Sequence, residues 1–332
     1  ARPDPRRLAT QVAHCGGTPA SHPTATMPHP SPPPPPLPAP VPGEVVHLQL
    51  PGFGRMAGVV AGQGAPLLLV HSVNAAATAA EVRPLHTHFS ASRTVLSLDL
   101  PGYGLSDRPD TAYSPRLMTD ALHAATAWLR QRCGGAPVDA LALSLGCEFL
   151  ARAAAEQPAD YRSLALVSPT GFMGSRVWRG APGSTRAVPG MLKLLRGPGW
   201  GGALFRGLTR PGVIRYFLQR TWGAKAIDET LWQYDVLTTR QPGAEHAPLH
   251  FLSAGLFSAD IHTVYGQLPM PVWMSHGVRG DFTDYRGSGF LQPQPNWQFT
   301  TYPTGALPHF ELPARVCADL QCFLDGGRVA PA

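Results

Sequence analysis

The sequence predicts an α/β protein: a mostly parallel sheet flanked by helices, with one helical segment inserted outside the sheet. Three observations carry this expectation. Short apolar runs of strand length alternate with helical periods from residue 44 to about residue 170. The alternation stops from about 171 to 267, where Gly/Pro breaks, helical patches and many aromatic residues replace it. It resumes at 271–276, P-V-W-M-S-H, and closes with a strand near 297–302 and a helix near 310–324.

Each element has its own signal. Residues 44–50 alternate, with Val46, Leu48 and Leu50 on one face. A turn at 51–54 leads to a second strand near 55–61, and these two read as an antiparallel pair. The run P-L-L-L-V-H at 66–71 is continuously apolar and suits a central strand. Residues 75–88 read as a helix and 94–100 as another buried strand, closed by D-L-P-G-Y-G-L-S-D. Met118, Leu122, Ala125 and Leu129 fall in helical register over 114–132, and Gly134-Gly135 ends that helix. A short apolar strand beginning at Val138 runs through Ser144 into the strong helix former at 150–155, and 163–168 is the next strand. The organisation is therefore a Pro-rich tail over 1–42, core over 43–172, a helical insertion over 173–268, and the rest of the core over 269–328.

The tail lacks hydrophobic periodicity and ends in a stiff polyproline run, so it reads as an unfolded spacer or as a mis-assigned gene start ahead of Met27. It has no apolar stretch of the secretory-signal kind. Composition bounds the rest. Of 332 residues 44% are hydrophobic, enough for a sizeable core, and the formal charge is +6. The basic residues are nearly all arginine, lysine occurring only at Lys193 and Lys225, and no basic run with interleaved aromatics suggests a nucleic-acid surface. The five cysteines, Cys15, Cys133, Cys147, Cys317 and Cys322, lack metal-ligand spacing and read as reduced thiols of a cytoplasmic protein. No apolar run is long enough to span a membrane. No metal or cofactor is expected, and nothing in the sequence sets an oligomeric state.

The chain is organised around V-D-A-L-A-L-S-L-G-C-E-F at 138–149. A strand, a serine on a sharp turn and a helix together make the layout of a nucleophile elbow. Ala142 and Gly146, two residues either side of Ser144, are small, as a turn that crowds them requires. The helix that follows points its positive end and free amides at the serine. The competing reading is an ordinary serine that opens an ordinary helix.

Four stretches between 44 and 324 resemble the α/β-hydrolase superfamily, of the kind with a helical cap between strands six and seven. L-L-L-V-H-S-V-N at 67–74 resembles the oxyanion loop, with Ser72 in place of glycine. D-L-P-G-Y-G-L-S-D-R-P at 99–109 is similar to the turn after an early parallel strand. A-L-S-L-G at 142–146 resembles the elbow, and G-A-L-P-H-F-E-L-P at 305–313 the loop before the last helix. The resemblance implies a nucleophile, an acid and a base in that chain order. Ser144 is the nucleophile. Asp281 is the preferred acid, with Asp284 the alternative; the Arg279-Gly280-Asp281 tripeptide is read as chance rather than as an adhesion motif. His309 is the only histidine that follows them.

Here the chain departs from the pattern. Relatives read G-H-L-P-H-F-E with the first histidine catalytic, and this chain has Ala306 there. Either the loop brings His309 to Ser144 or the relay is broken. The amides of Val73 and Leu145 would form the oxyanion hole. Asn74 would add a donor or only hold its loop, His71 would brace that loop, and Glu148 would sit near the pocket floor or complement the helix dipole. The implied function is hydrolysis of a carboxylic ester, or a related small-molecule acyl bond, through an acyl-enzyme. The alternatives are a carbon–carbon bond hydrolase of the ring-cleavage type and an inactive homologue that binds a small ligand. Dehalogenase and epoxide hydrolase chemistry is disfavoured, because those enzymes place aspartate where Ser144 stands.

Overall fold

The first strands, β1 (Glu44–Leu50) and β2 (Gly54–Ala61), pair antiparallel through a tight turn, as their alternation predicts. Six more follow: β3 (Ala65–Val70), β4 (Arg93–Asp99), β5 (Val138–Leu143), β6 (Tyr161–Val167), β7 (Val272–Gly277) and β8 (Trp297–Tyr302). They form one sheet in the order β1-β2-β4-β3-β5-β6-β7-β8. Only β2 runs against its neighbours; every pairing from β4 to β8 is parallel. This computed structural model describes residues 35–197 and 200–329. Most of the expected tail, residues 1–34 with Met27 and Cys15, lies outside the described residues.

The central strands are apolar on both faces because both faces are covered. Leu68, Val70, Ala140 and Ala142 belong to a core shared with Met118, Leu122 and Leu129 of α2 (Pro115–Arg132) and Phe149 and Leu150 of α3 (Gly146–Glu156). Leu67, Leu69, Leu141 and Leu143 face the other way. They share a core with α1 (Arg83–Phe89) and with the C-terminal helix over Pro313–Leu324. α2 begins where the sequence says it should: Ser114 Oγ accepts the Leu117 amide and Pro115 occupies the first turn.

The expected helix over 75–88 is only partly formed. Its first residues are irregular, and a 3-10 turn at Ala79–Val82 precedes α1. Side chains supply the backbone partners that a helix would otherwise provide. Asn74 Oδ1 accepts the Ala76 amide at 2.7 Å, Thr78 Oγ1 the Ala80 amide at 3.2 Å, and Asp99 the Ala79 amide at 2.7 Å.

From β3 the chain goes to β4 on one side and then to β5 on the other, so the C-terminal ends of β3 and β5 lie at a topological switch point. Val70 pairs with Ala142 there, which makes the 71–74 loop and Ser144 leave the sheet side by side.

Between β6 and β7 the described residues form six helices: α4 (Met191–Leu195), α5 (Gly201–Leu208), α6 (Pro211–Trp222), α7 (Glu229–Thr238), α8 (His246–Leu252) and α9 (Ile261–Gly266). The two remaining helices, α10 (Pro308–Glu311) and α11 (Pro313–Leu324), follow β8. The insertion is hooked to the core by charged pairs. Buried Glu148 of α3 accepts from Arg186, from Thr170 Oγ1 and from the Ser258 amide. Arg152 pairs with Asp260, Arg83 with Asp228, and Asp281 with Arg220.

The start of the folded chain differs from expectation. Residues 35–42 belong to the predicted tail, yet they are tied down. His86 Nε2 bonds the Pro42 carbonyl at 2.7 Å, Tyr234 Oη the Pro38 carbonyl at 2.8 Å and Gln241 the Pro35 carbonyl at 3.0 Å; Val41 is buried. Proline lacks an N–H but keeps a carbonyl, so a polyproline segment docks by accepting bonds. A chain starting at Gly43 therefore loses about 1–3 kcal/mol from Val41 burial and these bonds. Thermal unfolding reads this directly, and an unchanged Tm would show that the docked segment contributes nothing.

Candidate active site

Ser144 follows β5 with φ 50°, in the left-handed region that costs a non-glycine residue about 1–2 kcal/mol. The conformation is held from both sides. Its N–H donates to the Val167 carbonyl on β6 at 2.9 Å, and its own carbonyl accepts the Cys147 amide at 3.1 Å. The side chain is half-buried, and its hydroxyl makes no hydrogen bond among the described residues. Sequence reasoning explains the small residues at 142 and 146 by mutual crowding. The contact that matters is a different one: a Cβ on Gly146 would lie 2.5 Å from the His71 carbonyl oxygen. The neighbouring loop demands glycine at 146, and alanine is tolerated at 142.

That loop is fixed by two side chains. His71 Nε2 accepts the Leu100 amide at 3.0 Å while its Nδ1 bonds the Ser72 carbonyl, bracing β3 against the end of β4. The carboxylate of Glu81 accepts the Ser72 amide at 2.7 Å, Ser72 Oγ at 2.9 Å and Asn74 Nδ2 at 3.0 Å. Asn74 is thus spent on holding the loop. Ser72, which replaces the glycine of the family pattern, supplies the hydroxyl that binds Glu81. With the loop so held, neither the Val73 amide nor the Leu145 amide donates to another described residue.

Glu81 was not singled out in the sequence. It is fully buried, and desolvation raises its pKa against the pull of His71, Ser72 and Asn74. Asp235 of α7 is buried with an unpartnered Oδ1. Its pKa is pushed well above the usual carboxylate range, first by burial and then by the charge of Glu81.

The expected acid and base are hydrogen-bonded to other groups. His309 is completely buried on α10, its Nε2 donates to the Glu81 carbonyl at 2.7 Å, and its Nδ1 has no partner. Burial lowers its pKa to about 4. Asp281 is engaged bidentately by Arg220 of α6 at 2.5 and 2.6 Å, and Asp284 by Arg286 and the Gly174 amide. No hydrogen bond joins Ser144, His309 and Asp281. The Ala306 carbonyl accepts Ser168 Oγ at 2.7 Å, and Ser168 ends β6, the strand whose Val167 binds the Ser144 amide. Two surface clefts of about 290 and 400 Å³ lie away from all of this, around Asn296 and Arg162 and around His88 and Pro313, and neither borders Ser144.

Two stability effects follow. At pH above 6.5 neither folded nor unfolded chain protonates residue 309. Between 6.5 and 4 the unfolded chain takes the proton and the folded one does not, so stability falls as pH falls through that window. His86, His250, His262 and His276 are lowered too and add to the slope. His309→Gln keeps a donor for Glu81 and should remove up to about 3 kcal/mol of the acid-side loss. Denaturant titrations at pH 7 and pH 4.5 measure it, and parallel curves for both proteins would contradict the buried neutral imidazole. Asp235 has the opposite sign: its raised pKa makes its contribution fall as pH rises. Asp235→Asn should therefore raise stability at pH 7 by about 1–2 kcal/mol, and a lowered Tm would show that the carboxylate has a favourable partner.

Residues 65–186 match the family described as alpha/beta hydrolase fold. No curated protein is significantly similar in sequence. Three solved structures are similar in fold. A serine hydrolase involved in carbazole degradation is 15% identical, with a TM-score of 0.65 over 85% of this chain and 98% of its own. A thermophilic esterase from Thermogutta terrifontis is 18% identical, with a TM-score of 0.63 over 86% and 99%. An epoxide hydrolase is 19% identical, with a TM-score of 0.62 over 85% and 99%. Their names span several chemistries on one scaffold, so fold alone assigns none of them here. Sheet order, family match and structural likeness agree: the chain has the α/β-hydrolase fold, with its helices between β6 and β7 in the position of a cap.

Proposed function

We propose that the protein is a serine hydrolase in which Ser144 attacks the carbonyl of a carboxylic ester, or a related acyl bond, of a small molecule. One observation carries the reading. A non-glycine residue is held at positive φ between a strand and a helix, its hydroxyl free, in a fold where two unengaged amides flank the switch point. In this reading the Leu145 and Val73 amides receive the oxyanion, and acyl transfer to Ser144 Oγ precedes hydrolysis by water.

The reading requires a base, since a serine hydroxyl is a poor nucleophile until its proton is taken. His309 would have to leave the Glu81 carbonyl to act, carrying the short α10 with it, and Asp281 would have to leave Arg220. His276, at the end of β7, is the other candidate. Its Nδ1 is committed to the Gly277 carbonyl, so Nε2 is its accepting nitrogen.

A second reading has its own observation. With alanine at 306 and His309 Nε2 bonded to the Glu81 carbonyl, the site would bind a carbonyl compound and turn it over only at the residual level that an oxyanion hole alone supports, about 10³–10⁴ over water.

A fluorophosphonate probe separates the two. The hydrolase reading expects labelling at Ser144, abolished in Ser144→Ala, with ester turnover falling by about 10⁴–10⁶. Loss of labelling in His309→Gln or in His276→Gln identifies the base. A folded wild-type protein that resists the probe would establish the binding reading instead. Ala306→His, which sets an imidazole beside the elbow, would then be expected to gain labelling.

A further inference from the structure

Charge is distributed unevenly along the chain. Between Asp160 and Asp228 lie 67 residues with eleven basic and no acidic side chains. That stretch carries +11 while the whole chain carries +6, which leaves the remainder at −5. Five of the eleven are spent on ion pairs: Arg162, Arg186, Arg196, Arg215 and Arg220. The other six, Arg176, Arg179, Lys193, Arg206, Arg210 and Lys225, are exposed and make no ion pair among the described residues.

The same stretch holds most of the large apolar side chains exposed among the described residues. Of eleven such residues, seven lie in it: Met173, Val177, Val188, Leu194, Trp200, Tyr216 and Phe217. Folding normally hides such groups, and an exposed apolar cluster rimmed by one sign of charge marks a surface with a partner. One part of it is the corner between α4 and α5. Lys193 and Leu194 stand exposed on α4, Trp200 folds over Gly197 at the turn, and Arg206 and Arg210 are exposed on and just after α5.

We propose that this corner of the cap docks on an anionic lipid bilayer, with Lys193, Arg206 and Arg210 at the headgroups and Leu194 and Trp200 in the interfacial layer. The two halves of the pattern select this partner together. Clustered cations suit any polyanion, but a nucleic-acid backbone offers nothing to an aliphatic leucine. A bilayer interface takes cations and amphipathic or apolar side chains side by side, tryptophan above all. A second copy of the chain would bring the same positive face. No helix among the described residues is long and apolar enough to cross a membrane, so the contact is peripheral. The surface stands independently of any chemistry at Ser144.

Cosedimentation of the full chain with lipid vesicles tests it. Binding is expected to vesicles of phosphatidylcholine with phosphatidylglycerol, to weaken with added salt, and to be near zero with phosphatidylcholine alone. Each cation at an anionic surface contributes about fivefold in affinity, so the triple variant Lys193→Gln, Arg206→Gln, Arg210→Gln should bind roughly a hundredfold more weakly. Leu194→Ser with Trp200→Ser should weaken binding while leaving its salt dependence intact. All five side chains are exposed, and unchanged Tm values check that the variants fold; salt release of the unaltered protein tests the charge dependence without any substitution. No binding to the anionic vesicles, equal binding to both vesicle types, or an unaffected triple variant would overturn the proposal. So would binding to duplex DNA that outcompetes the vesicles and ignores the loss of Leu194 and Trp200.

Discussion

The buried carboxylate of Glu81 is the interaction on which the neighbourhood of Ser144 depends. Its two oxygens take three donors from Ser72 and Asn74, which fixes the loop after β3. Its backbone carbonyl takes His309, which fixes the loop after β8. One residue therefore sets two of the walls around the elbow. A buried carboxylate is costly unless its lone pairs are satisfied, and the donor set is what makes the arrangement tolerable. The cost is not fully removed, since the pKa of Glu81 remains raised. Asp235 of the cap is a second buried carboxyl, with one oxygen unpartnered and its pKa raised first by burial and then by the charge of Glu81.

Elsewhere the cap is held by opposite charges in contact. Glu148 is the deepest of these anchors, reached by Arg186 and by the Ser258 amide from two separate parts of the insertion. Because it is fully buried, removing either partner would leave a charge uncompensated, which costs far more than a surface pair contributes. Arg152–Asp260 repeats the arrangement one helical turn further along α3. The insertion is consequently fastened to α3 by ion pairs of low exposure.

The sheet was legible in the sequence because buried parallel strands leave an unambiguous trace: short apolar runs, with no polar face, between helical periods. The strands expected over 44–50 and near 297–302 form over Glu44–Leu50 and Trp297–Tyr302, and the others begin within about two residues of expectation. The elbow was legible too, since only a strand, a small-residue turn and a helix former in succession could produce it. What sequence could not supply was three-dimensional neighbourhood. Glu81 looked like one polar position in a run of alanines, because its partners are nine residues back and 228 residues ahead. Asp281 looked free, because the arginine that engages it lies in the cap, whose fold no periodicity revealed. Residues 35–42 looked unfolded, because a prolyl carbonyl gives no sign of the donor it will meet. His309 was selected by chain order alone, and order does not fix the direction in which a ring points.

Position 306 is tied to the strand end beside Ser144. Ser144 and Ser168 end adjacent parallel strands, and both are left-handed, with φ of 50° and 49°. Each strand therefore breaks away from the sheet at the same level, and neither break relaxes while the next strand holds it: Val167 binds the Ser144 amide and Ser275 the Ser168 amide. Ser168 then turns its hydroxyl to the Ala306 carbonyl, while Thr221 of the cap takes the Ala306 amide. Main-chain position 306 is pinned from both sides within one strand of the serine. Three residues on, the chain has entered α10 and His309 has turned inward to Glu81. His309 commits its Nε2 to the Glu81 carbonyl, and its Nδ1 is left without a partner. The fold thus holds Ser144 in its costly conformation, while position 306, tied to the neighbouring strand end, carries a methyl group where the family pattern has an imidazole.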